Sequence, residues 1–175
     1  SNSVAYLAGG RTVTVVDSDD YATQNLNIML DKVGANKPDL IMLDLSSNGS
    51  SYTFSTDYSF QDVSPGNNRA VVIEGDGKGN TTIGASSPVT LTFDGVDVLI
   101  KNIKISDNVK VIVRNGELTT DNAELSQTLI SDSEWFVKNN VEIIDNGTSG
   151  LALQVISSSV HQGGASLLLN RLLLE

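Results

Sequence analysis

The sequence predicts an all-β fold, a parallel solenoid of stacked coils with an amphipathic helix capping its N-terminal end. Three observations carry this. Between Val71 and Ile105, short apolar runs are each ended by an acidic or amide residue followed by glycine. The dipeptides Glu74-Gly75, Asp94-Gly95 and Asn115-Gly116 recur at intervals of 20 and 21 residues, close to one coil, and Asn146-Gly147 follows 31 later. One helical periodicity occurs before position 34 and no long one after it. A sandwich or a closed barrel also consists of many strands joined by polar turns. The fixed period, and the scarcity of tight hairpin signals between strictly alternating strands, favour the solenoid.

At 175 residues the chain fits one domain, and a domain of this size removes about 70% of its unfolded surface from water. A net charge of −10 repels phosphate backbones and anionic bilayers. Nucleic acid is therefore disfavoured as a partner. Without an apolar run of about 18 residues, membrane insertion is not expected either. The absence of cysteine excludes disulfides, thiolate metal sites and a cysteine nucleophile. Cationic partners, metal ions and neutral glycans remain. Ser1-Asn2 and Leu174-Glu175 read as a protease remnant and a cloning scar, so the chain reads as a piece of something longer.

In chain order, Arg11 to Val16 alternates threonine and valine and predicts a leading strand. Ala22, Leu26, Met29, Leu30 and Val33 then fall on one helical face, and Gly34 suits the helix end. The capping helix is expected over about 17–34, starting near Asp19 or Asp20. Asp17, Asp19 and Asp20 precede it. Their carboxylates suit helix capping, and as hard oxygen ligands they are also candidates to hold Ca²⁺, though without EF-hand spacing. Pro38 to Leu45 predicts a strand, and Tyr52, Phe54, Tyr58 and Phe60 mark an aromatic face where the coils begin. Val71 with Ile73, Leu91 with Phe93, and Val111 with Val113 are the expected inward pairs. In VLIKNIKI, Lys101, Asn102 and Lys104 interrupt the isoleucines and predict a corner. Further strands are expected at Leu129 and Ile130, Val141 to Ile144, Leu151 to Val155 and Leu167 to Leu169.

The strand DLIMLDL, followed by VVIEGDGKGNTTI and VTLTFDGVDVLIKNIKISDN, resembles the pectin lyase-like superfamily; GDGKGNTTI is similar to the early coils of pectin methylesterases. The resemblance covers roughly residues 15 to 115. It implies a right-handed, single-stranded parallel β-helix, with glycines at turns, asparagine ladders at corners and isoleucine or valine inside. The catalytic glutamine-aspartate-threonine-leucine segment of those esterases has no counterpart here. Gly163-Gly164-Ala165-Ser166 slightly resembles the repeat of β-helical bacterial surface adhesins.

The candidate site residues follow from chemistry and spacing. If Glu74 and Asp94 occupy equivalent sites on adjacent coils, their backbones lie about 4.8 Å apart. Retaining glycosidases hold carboxylates about 5 to 5.5 Å apart, and such a pair also suits calcium; the plainer reading is turn chemistry. Arg114 is the basic candidate for the same face. Trp135 lies in the interval that breaks the period, where an excursion of ten or so residues is expected to leave the coil. Its ring either stacks on a sugar at the surface or packs against the solenoid. His161, the single histidine, suits a surface turn or a general base beside a carboxylate. GDGKGN lacks the ending of a phosphate loop, and Lys78 is expected to be solvated.

The expected function is a non-catalytic secreted or cell-surface module, adhesin-like or carbohydrate-interacting, with no cofactor apart from the calcium option. A polysaccharide or a host or cell-surface glycan is the expected partner. The rival is a polysaccharide-processing lyase, esterase or glycoside hydrolase, or a fragment of one. The C-terminal leucines, Leu167 to Leu169 and Leu172 to Leu174, raise the prospect of self-association through the last coil.

Overall fold

The computed structural model describes residues 13–17, 23–31, 40–46, 51–61, 70–145 and 152–169, with only the backbone course given for 13–17. Most of them lie in strands, and every strand pairing among them is parallel. Parallel neighbours need a crossover, so the chain passes between stacks. The first stack runs through β1 (Val13–Asp17), β2 (Leu40–Asp44), β5 (Ala70–Glu74), the first part of β8 (Asp97–Ile105), the first part of β10 (Glu117–Leu125), β12 (Glu134–Lys138) and β15 (Ser159–His161). The second joins β3 (Ser51–Thr53), β6 (Thr82–Gly84), the remaining parts of β8 and β10, β13 (Asn140–Ile143) and β16 (Ser166–Leu169). Because β8 and β10 belong to both, these stacks form one 11-stranded sheet. A separate 5-stranded sheet contains β4 (Tyr58–Gln61), β7 (Val89–Asp94), β9 (Val109–Arg114), β11 (Thr128–Ser131) and β14 (Leu153–Ile156). From β5 onward the chain visits the stacks in one unchanging order.

The expected inward residues are buried. Val71, Ile73, Leu91, Phe93, Val111 and Val113 are all at most 1% exposed and belong to one core with Ile100, Ile103 and Ile105. Their correspondence differs from the expectation: Leu91 and Phe93 sit opposite Val111 and Val113, whereas Val71 and Ile73 sit opposite Val98 and Ile100 in the other sheet. Leu40, Met42, Ala70, Val72 and Leu99 form a second buried cluster. They alternate with the inward residues of β2, β5 and β8, so these strands are buried on both faces. That explains why their sequences read as continuous apolar runs.

Two columns of left-handed residues form corners of the stacks. In one, Gly95, Asn115, Asp132 and Ser157 have φ of 70°, 53°, 48° and 47°. In the other, Asn102, Asn122 and Asn139 have φ of 54°, 48° and 59°. Glycine, asparagine and aspartate are the residues that enter this region at least cost. The corner expected at Lys101-Asn102 is present: Asn102 shifts the alternation within β8, so that Val98 and Ile100 face inward before it and Ile103 and Ile105 after it. The repeat is not of fixed length. Hydrogen-bonded partners on successive strands are 20 residues apart at Asn102 and Asn122, 17 at Gly116 and Ser133, and 25 at Ser133 and Ser158. The long interval before Asn146 is accordingly no protrusion; it contains β10, β11 and β12 in register with their neighbours.

Helix α1 (Leu26–Asp31) is shorter than expected and starts later. Asp17 closes β1, and Asn25 bridges Thr53 in strand fashion. Asn25 is the cap: its Oδ1 accepts from Ile28 N at 3.2 Å and its carbonyl from Met29 N at 3.1 Å. Asp19, Asp20, Ala22 and Val33 lie outside the described residues. Leu26, Met29 and Leu30 insert into the main core beside Tyr52, Phe54 and Phe60, and Phe60 stacks on Phe93 at 5.1 Å. The helix and the aromatic face thus cover the same end of the core, as the sequence predicts.

Candidate functional site

The sequence-derived carboxylate pair is not assembled. Glu74 lies in β5, opposite Asp44 and Lys101, while Asp94 lies in β7 of the other sheet, opposite Gln61 and Arg114. The 20-residue spacing equated turns that close different stacks. Arg114 therefore shares a row with Asp94 and not with Glu74. Asn115 Nδ2 donates to Asp94 Oδ1 at 3.1 Å, so Asp94 supports a corner. Asp17 ends β1 opposite Asp44, while Asp19 and Asp20 are outside the described residues. Among the described residues, no three His, Asp or Glu side chains form a group able to hold a metal ion.

Of the two readings of Trp135, packing against the solenoid holds and stacking on a sugar at the surface does not. It is 1% exposed, and its Nε1 donates to Thr120 Oγ1 at 2.9 Å in the core. No ring face is left for a sugar. Strand alternation instead turns the next residue, Phe136, outward. Phe136 sits opposite Thr119 and His161, and its ring stacks on the imidazole with centroids 4.5 Å apart and planes 13° from parallel. Sequence reasoning singled out Trp135 and passed over its neighbour, because the interval was read as a loop. Read as a strand, EWFVK assigns Phe136 to the polar face between Glu134 and Lys138.

Charged rows flank these rings. On one side, Asp97, Glu117 and Glu134 stand on adjacent strands; Asp97 Oδ1 accepts from Glu117 N at 3.2 Å, and Glu117 is in register with Glu134. Burial, reinforced by the Asp97 and Glu134 carboxylates, raises the Glu117 pKa above the ordinary glutamate value. His161 Nε2 lies 3.6 Å from Glu134 Oε1. On the other side run Glu74, Lys101, Asp121 and Lys138. Lys101 Nζ bridges Glu74 and Asp121 at 4.0 Å each, and Asn139 Nδ2 donates to Asp121 Oδ1 at 2.6 Å. The side chains of His161 and Glu134 are 46% and 57% exposed. The result is a partly exposed aromatic surface between an acidic row and a mixed row, all on one sheet face.

A second cluster lies beyond the asparagine corner. Glu124 and Glu142 are in register on β10 and β13. Lys104 Nζ is 3.3 Å from Glu124 Oε2. Lys78, expected to be solvated, reaches from its turn to Asn140 O at 3.0 Å and to Glu142 Oε2 at 3.9 Å. Burial and the neighbouring Glu142 carboxylate raise the Glu124 pKa.

No helix among the described residues is long and apolar enough to cross a membrane. Comparison with protein-family models, with curated proteins and with solved structures finds no match to the chain.

Proposed function

We propose that the chain is a non-catalytic, secreted or cell-surface module with the architecture of a right-handed parallel β-helix, and that it holds a polysaccharide on the Phe136–His161 face. The β-helix reading is supported by parallel stacks visited in constant order and by columns of left-handed corner residues. The functional reading rests on one observation, the outward Phe136–His161 stack between two rows of hydrogen-bonding side chains. Sugar rings offer apolar C–H faces edged by hydroxyls, which suit an aromatic surface flanked by carboxylates and ammonium groups. Repetition of the rows from strand to strand, at about 4.8 Å, suits a polymer over a single sugar.

The test is affinity electrophoresis against neutral, acidic and amine-bearing polysaccharides, with parallel hydrolysis and lyase assays with and without Ca²⁺. Binding without turnover is expected, and Phe136→Ala should weaken it by at least about tenfold, or 1.4 kcal/mol. Equal binding by a folded Phe136→Ala, His161→Ala double variant would sink the reading. Turnover would replace the module with a polysaccharide-processing enzyme.

A further inference from the structure

The two rows that flank Phe136 and His161 balance their charges differently. In one, Lys101 stands between Glu74 and Asp121, and Lys138 stands opposite Asp121, so each cation faces a carboxylate. In the other, Asp97, Glu117 and Glu134 follow one another on β8, β10 and β12 with no cation between them. Among the described residues, no Lys or Arg forms an ion pair with any of these three; only His161 approaches, at 3.6 Å from Glu134. Like charges directly opposite one another on neighbouring strands destabilise a sheet. Neutral side chains would fill these outward positions without that cost, so folding does not account for the row. Its place on the molecule does. Glu134 and Phe136 are two residues apart on one face, which sets the carboxylates about 6.6 Å to the side of the line formed by Thr119, Phe136 and His161 and parallel to it.

We infer that the polysaccharide held on this face bears amino groups, its rings lying on Phe136 and His161 and its ammonium groups directed to Asp97, Glu117 and Glu134. The inference rests on the reading of the aromatic face as a polysaccharide site and names the class of polymer. Charge complementarity selects that class. A uronate polymer would bring its own carboxylates against a chain of net charge −10. A neutral glycan would leave the row without a counter-charge. A single metal ion fits poorly, because the three carboxylates are strung along successive strands at about 4.8 Å per step and do not converge into a group able to hold one. An amine-bearing polymer offers a cation that recurs along its length, as the carboxylates do. Each ammonium donates up to three hydrogen bonds, and charge-assisted bonds to carboxylates are the strong ones. The lysines of the opposite row do not oppose this, since they face Glu74 and Asp121.

Titration calorimetry of the full chain tests this with a β-1,4-linked glucosamine hexamer, its fully N-acetylated counterpart, a galacturonate hexamer and hexalysine. The glucosamine hexamer should bind at least about tenfold more tightly than each of the other three. Phe136→Ala should weaken both the amine and the acetylated hexamer, whereas the Glu117→Gln, Glu134→Gln double variant should lose only the preference for the amine. Glu117→Gln alone should melt at a higher temperature than the parent at neutral pH, because a like charge leaves the row. Equal or tighter binding of the acetylated or galacturonate hexamer would overturn the inference and leave the polysaccharide reading in place. Hexalysine bound as tightly as the glucosamine hexamer, an amine preference that survives in the folded double variant, or a Glu117→Gln protein that melts below the parent would overturn it as well. If none of the three saccharides binds, the polysaccharide reading and this inference fall together.

Discussion

Trp135 and Phe136 are neighbours with opposite fates because successive side chains of a strand point to opposite faces. Inside, the indole needs a partner for its N–H, and Thr120, itself 0% exposed, provides one. Thr120→Val keeps the shape and removes the acceptor. It should cost about 1–3 kcal/mol in urea denaturation, the penalty of a buried unpaired donor, and Thr120→Ser should recover most of that. If valine and serine behave alike, the hydrogen bond contributes nothing measurable. The serine control separates the polar effect from any change in packing.

At the scale of elements, the corners decide where each strand stops and the next face begins. Gly95 at φ 70° and Asn115 at φ 53° are register equivalents. The third acid-or-amide–glycine dipeptide therefore appears displaced by one residue: the left-handed position is filled by glycine in one strand and by asparagine in the next. Gly116 serves another need, since a Cβ there would run into the Val96 carbonyl oxygen. In the asparagine column, Asn122 Nδ2 donates to Asn102 Oδ1 at 3.0 Å. Asn122→Ala loses that bond and sets alanine at φ 48°, which should lower stability by about 1–3 kcal/mol. Asn122→Gly loses the bond alone and should be less damaging. Chemical denaturation of the two variants checks the order; a reversal would refute the backbone argument.

For the whole molecule, carboxylates gathered in rows link folding to pH. Glu117 and Glu124 both have pKa values raised above 4.5, chiefly by burial. Between 4.5 and each raised folded value, the native state binds more protons than the unfolded chain. Their contribution is therefore fully present below the unfolded value and is lost as pH rises through the folded value. Glu124→Gln, which carries no charge at any pH, should raise the melting temperature relative to the parent above this window and flatten that part of the profile. The exposed Lys104 ion pair lost with it offsets little. Parallel pH profiles for the two proteins would contradict the sign.

By itself the sequence determined the all-β class, the inward residues and the chemistry of the corners, because alternation, apolar runs and left-handed preferences are local properties of a strand and its turn. It also marked the helical face of Leu26, Met29 and Leu30 and the aromatic cluster beside it. The start of α1 was not legible, since the contact of Gln24 and Asn25 with Thr53 is long-range. Neither was the candidate site. Glu74 and Asp94 were equated while the coil length was taken as constant, but in-register partners on neighbouring strands sit anywhere from 17 residues apart, as Glu117 and Glu134 do, to 33, as Gln61 and Asp94 do. Only the tertiary structure decided which strands are neighbours, and therefore that Phe136 meets His161 and that Glu124 meets Glu142. Register between strands is set by packing across the core, which no single stretch of sequence contains.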